Sequence, residues 1–124
     1  VPHSRHTATH REDILKHPEL IILAESSESG VYLVVTEDYR QVFVSGHSEY
    51  DTLTLQDEYL RDLNKGLAIA PPKHYYPEND TKQEPLALWR SHANLLFANW
   101  LNYCVYQETP FSLDEIENCL TWDI

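Results

Sequence analysis

At 124 residues the chain is one domain or part of one, and 42% hydrophobic, 23% charged and 11% aromatic residues with only three glycines describe a globular protein, not a linker. Twenty acidic against nine basic side chains give a net charge of -11, which repels phosphate backbones and anionic bilayers and so disfavours nucleic-acid and membrane partners. The longest apolar run, Leu20–Ala24, is far too short to span a bilayer, and no signal-peptide pattern opens the chain.

Val1–Arg5 reads as the end of a strand entering a loop. Thr9 and Glu12 fit a capping box that opens a helix of about two turns, ended by Pro18. Three strands are predicted next, at Leu20–Ala24, Val31–Thr36 and Gln41–Ser45, separated by turns at Gly30 and Glu37–Arg40. The short second turn favours a hairpin, so the sheet is not expected to be purely parallel. After Gly46 the period changes. Asp51 or Thr52 is expected to cap a helix to about Asn64, with Leu53, Leu60 and Leu63 on one face and Gly66 as its stop.

Residues 67–85 are rich in proline and form a long structured loop, a type of segment that is often functional. A second helix is predicted over about Leu86–Tyr106. Trp89, Ala93, Leu96, Phe97, Trp100 and Cys104 recur along it at helical spacing as an apolar core stripe. Ser112-Leu113-Asp114-Glu115 is the expected cap of a last short helix. Three short strands supply too little sheet for two such helices. The chain therefore reads as a piece of a longer α/β polypeptide.

Gly46-His47-Ser48-Glu49 follows the third strand, at a carboxyl end where α/β folds collect ligands. An imidazole can take and return a proton there, and a carboxylate two residues on can fix its tautomer if the backbone bends. By spacing alone, a surface ion pair is the competing reading. His3, His6, His10 and His17 crowd the N-terminal segment, but no ligand motif supports metal, so a solvated cluster is expected. Arg61 and Arg90 are the guanidinium candidates for a small carboxylate, against the simpler reading of helix-surface ion pairs; for Arg61 the partners would be Asp57 and Glu58. Cys104 and Cys119 lack a Cys-x-x-Cys spacing and read as reduced thiols, with a cytoplasmic location as the default.

Pro2-His3-Ser4-Arg5, Ile22-Leu23-Ala24-Glu25, Gly46-His47-Ser48-Glu49-Tyr50-Asp51, Arg61-Asp62 and above all Trp89-Arg90-Ser91-His92-Ala93-Asn94-Leu95-Leu96-Phe97 stand in a specific order. So do Asn99-Trp100-Leu101-Asn102-Tyr103 and Tyr106-Gln107. In that order and spacing the chain resembles the C-terminal half of the homoserine O-succinyltransferase family, from Val1 to about Leu113. The resemblance implies a flavodoxin-like, three-layer α/β domain of the class I glutamine amidotransferase type, with residues 1–124 its C-terminal part and no second domain. It implies transfer of a succinyl or acetyl group from acyl-CoA to homoserine through a cysteine thioester, a step towards methionine. Acyl-CoA would be a co-substrate, with no cofactor or metal, and a homodimer is compatible. His47 would be the base, Glu49 its orienter, and Ser4 and Arg61 the acceptor residues.

The family's nucleophilic cysteine precedes Pro-His-Ser-Arg, so neither Cys104 nor Cys119 takes that role. Ser48 stands where many relatives have proline, which is expected to loosen the backbone between His47 and Glu49. A serine O-acyltransferase with the same machinery, or a non-catalytic interaction domain, are the alternative readings.

Overall fold

The fold is that of a computed structural model, which describes residues 1–110. Three strands, β1 (Leu20–Ser26), β2 (Gly30–Thr36) and β3 (Val42–Val44), form one antiparallel sheet in the order β1-β2-β3. Leu20 pairs with Thr36 and Ser26 with Gly30, and the register slips between Ile22 and Glu25. Leu33 pairs with Val44 and Val35 with Val42. The expected hairpin is present, and the fold is a small α/β arrangement.

The β-branched run of β2 explains its central place. Val34 and Val35 are adjacent, point to opposite faces, and are both buried. One face packs Val31 and Val34 against Ile14, Leu20 and Ile22. Ile14 comes from α1 (Arg11–Ile14), a single helical turn and not the two turns expected. Thr9 does not cap it. The cap position is His10, in extended conformation and without a side-chain bond, so the proposed capping box begins one residue too early. On the other face, Leu33 and Val35 look across an open hollow of about 530 Å³ towards Leu96, Trp100 and Cys104.

Helix α2 (Thr54–Asn64) ends as expected at Gly66, whose φ of +77° suits glycine. The Leu67 amide reaches back to the Asp62 carbonyl at 3.1 Å, closing a Schellman turn. Its start differs from expectation, since neither Asp51 nor Thr52 caps it. Tyr75, from the 67–85 loop, does so instead. Its hydroxyl donates to the Thr52 carbonyl at 2.5 Å and accepts from the Gln56 amide at 3.2 Å. The same ring draws Leu55 inward, so Leu55 is buried while Leu53, Leu60 and Leu63 stay exposed.

Leu55, Tyr75, Tyr76, Trp89 and Ala93 make a second core, with Tyr50 and Ala87 packed on it. The predicted long helix begins only at Arg90 as α3 (Arg90–Asn99), then widens into a π-helix over Trp100–Tyr106. Of its apolar stripe, Trp89 and Ala93 are buried, whereas Phe97 and Trp100 are each 43% exposed. Cys104 is a free, half-buried thiol. Among the described residues no helix is long and apolar enough to cross a membrane. The helix expected at Ser112-Leu113-Asp114-Glu115, and Cys119, lie outside the described residues.

Candidate active site

The bend that His47 and Glu49 require is a turn just beyond β3, closed by a long bond from the Tyr50 amide to the His47 carbonyl (3.5 Å). Within it, His47 Nδ1 lies 2.7 Å from Glu49 Oε1. The two side chains are 37% and 59% exposed and border a hollow of about 300 Å³ that also touches Val44, Leu96 and Phe97. Partial burial of the Glu49 carboxyl works against its charge, but the bond from His47, a backbone hydrogen bond and the nearby imidazole charge together outweigh it and hold the group below its ordinary value. With Nδ1 committed to Glu49, Nε2 is left to exchange a proton.

Both cores fasten this turn. On the sheet side, the His47 amide donates to the Pro2 carbonyl at 2.8 Å. Gly46 makes that approach feasible, because a Cβ there would sit 3.0 Å from Tyr32 Cε2 and 3.1 Å from both His3 Nε2 and the Pro2 oxygen. Ser48 is buried, and its hydroxyl meets the Tyr32 hydroxyl at 2.5 Å. Against the expected loosening at Ser48, its side chain is tied to β2 by this bond. On the helical side, Trp89 Nε1 donates to the Tyr50 carbonyl at 3.1 Å.

Tyr50 joins the remaining candidates, and the sequence reading passed over it. Its ring stacks on His47, with centroids 4.3 Å apart and planes 18° from parallel. Its hydroxyl donates to Glu58 Oε1 at 3.0 Å, and Ser4 lies close enough to act on the phenol. Burial, then the bond to Glu58, push the phenol pKa up, so it stays a donor at neutral pH. The available signal was an aromatic residue directly after His-x-Glu.

The structure thus brings Ser4, His47 and Glu49 together around Tyr50. Arg61, in the last turn of α2, is close enough for Glu58 and Tyr50 to act on its charge, yet its guanidinium is engaged elsewhere. Nε and Nη2 donate to the two Asp62 oxygens at 2.8 and 3.1 Å, raising the Arg61 pKa and lowering that of Asp62. The ion pair expected with Asp57 or Glu58 is therefore replaced by one with Asp62, since Glu58 is turned towards Tyr50. Among the described residues, Arg90 reaches only the Thr52 hydroxyl, at 3.1 Å.

The N-terminal histidines do not form one solvated cluster. His6, His10 and His17 are exposed, but His3 is half-buried, edge-on to Tyr32. Burial, then the nearby Arg5, depress the His3 pKa, and its Nδ1 is buried without a partner among the described residues. No group of three His, Cys, Asp or Glu among those residues is arranged to hold a metal ion.

The sequence pattern that defines the homoserine O-succinyltransferase family matches residues 1–111. Over 114 residues the chain is 65% identical to a homoserine O-acetyltransferase of Brevibacillus brevis, covering 92% of this chain and 37% of that protein. It is 62% identical to a homoserine O-acetyltransferase of Desulfitobacterium hafniense over 118 residues, covering 95% of this chain and 38% of that one. A homoserine O-acetyltransferase of Parabacteroides distasonis is 60% identical over 117 residues, with coverage of 94% and 38%. The chain spans little more than a third of the length of these relatives. With nine-tenths of its residues inside the family pattern, the chain belongs to the homoserine O-succinyltransferase family.

Proposed function

We propose that this chain carries the proton-handling half of a homoserine O-acyltransferase site. The observation that carries the reading is the 2.7 Å bond between His47 Nδ1 and Glu49 Oε1 in a turn anchored to both cores. In the proposed reaction, a cysteine thiolate supplied from outside this chain attacks the acyl-CoA carbonyl. The carbon–sulfur bond to CoA breaks, the CoA thiolate takes up a proton, and a cysteine thioester forms. The homoserine hydroxyl then attacks that thioester while His47 Nε2 takes its proton, and the cysteine leaves as thiolate. Glu49 keeps Nδ1 protonated and stabilises the imidazolium that results.

Ser4 and Arg61 are assigned to the acceptor, with Arg61 pairing the homoserine carboxylate once it exchanges its Asp62 bonds for the ligand. The names of the three relatives favour acetyl over succinyl as the group moved. The wider reading is a flavodoxin-like domain of the class I glutamine amidotransferase type, working in the cytoplasm as a step towards methionine, with a homodimer compatible. The test joins this chain to the upstream portion of its polypeptide and follows CoA release from acetyl-CoA with homoserine. His47→Asn should lower the rate by about 10²- to 10⁴-fold. Undiminished turnover would exclude His47 as the base.

A further inference from the structure

The His47–Glu49 pair is too exposed to hold its own geometry. Hydrogen-bonded ion pairs at this degree of exposure are weak, because water competes for both partners. A base that must present Nε2 in one direction needs a second restraint on the plane of its ring. The Tyr50 ring supplies one, lying nearly parallel to His47 at 4.3 Å. Tyr50 is itself held from outside the turn, through its carbonyl by Trp89 and through its hydroxyl by Glu58 of α2.

The hydroxyl commits its single proton to Glu58 Oε1, so the far end of the ring is held by α2.

We propose that Tyr50 is a positioning residue whose ring fixes the plane of the His47 imidazole. Its consequence for turnover rests on the acyltransferase reading; the positioning itself does not.

The positioning and its consequence for turnover are tested apart. In the 124-residue chain, the His47 ring protons lie over the phenol and should be shifted upfield in the NMR spectrum by its ring current. Normal shifts would overturn the stack without any mutation. The nitrogen-15 spectrum should report His47 mainly as the Nδ1–H tautomer, and Tyr50→Phe should preserve that. Tyr50→Leu should lower the ratio of Nδ1–H to Nε2–H tautomer by roughly two- to tenfold, the worth of an aromatic pair. An unchanged ratio in Tyr50→Leu, or an equal fall in Tyr50→Phe, would overturn the positioning role.

In the acyltransferase polypeptide that carries this chain, Tyr50→Leu should lower kcat by more than it raises the KM for homoserine, and Tyr50→Phe, which keeps the ring, should lose less kcat than Tyr50→Leu. Equal losses of kcat in the two variants would overturn the role of the ring. Correct NMR signatures in a polypeptide whose turnover ignores His47→Asn would instead overturn the acyltransferase reading and leave the positioning of His47 standing.

Discussion

Replacing Tyr75 by phenylalanine removes one oxygen and should loosen the start of α2. The ring would keep its edge-on contact with Tyr76 (4.8 Å) and its stack on Trp89 (6.1 Å), so the second core stays filled. The change deletes the bond to the Thr52 carbonyl and the bond from the Gln56 amide, the pair that stands in for a helix cap. Losing a conventional N-cap costs roughly 0.5–2 kcal/mol. Here the ring itself is only 4% exposed, so the stranded carbonyl and amide face a dry surface, and the cost should lie near the upper end, about 2 kcal/mol. For a chain of this size that is a fall in Tm of about 8 °C, taking ~4 °C per kcal/mol. Thermal unfolding reads the total, and amide hydrogen exchange at Gln56 localises it. Asp51→Ala and Thr52→Ala are the controls. Neither side chain caps the helix, and Thr52 loses only an exposed bond from Arg90, so each should cost under about 0.5 kcal/mol. The reasoning fails if Gln56 exchange is the same in Tyr75→Phe as in the parent, or if Asp51→Ala costs as much.

Gly46→Ala should destabilise by about 1–3 kcal/mol, because its methyl must displace Tyr32, His3 or Pro2; faster exchange of the His47 amide would place the damage at the bond to Pro2, and unaltered exchange would exclude it. Glu49 has a depressed folded-state pKa, so its contribution is present above the ordinary carboxylate value and is lost as pH falls through the depressed one. The stability gap between the parent and Glu49→Gln should therefore narrow on acidification across that window, by well under ~1 kcal/mol for so exposed a group; a gap independent of pH would refute the pairing. In the acyltransferase polypeptide, Arg61→Lys should slow acyl transfer to homoserine roughly 10- to 150-fold while sparing the burst of CoA release, and the reverse pattern would put Arg61 on the donor side.

What the sequence disclosed follows from how local each feature is. The strands, the hairpin and the Gly66 stop are set by residues within a few positions of one another, and all were legible. The caps were not. Thr9, Asp51 and Thr52 have the right side chains, yet α1 is capped by none of them and α2 takes its bonds from Tyr75, some twenty residues downstream. A tyrosine inside a proline-rich loop carries no local mark of that role. The buried residue of α2 was not legible for a related reason: Leu53, Leu60 and Leu63 make the stronger leucine stripe, but the rings that cover the helix sit over Leu55. The His47-x-Glu49 spacing identified the pair, whereas its environment depended on contacts from Pro2, Tyr32 and Trp89 that no spacing rule reveals.

Those contacts explain why so short a motif can hold one geometry. A four-residue turn has little internal restraint, and its single closing bond, at 3.5 Å, is weak. Two of its residues, however, are held from different parts of the fold: Ser48 is tied to the sheet through Tyr32, and Tyr50 to the helical cluster through Trp89. Rotating the turn would require the two cores to move relative to each other or a buried hydroxyl at Ser48 to lose its partner, which costs on the order of 1–3 kcal/mol. His47 and Glu49, the exposed pair that has to stay aligned, stand on either side of Ser48. The placement of Ser48 is thus the counterpart of the stack from Tyr50: one fixes the backbone beneath the imidazole, and the other fixes the plane of the ring above it.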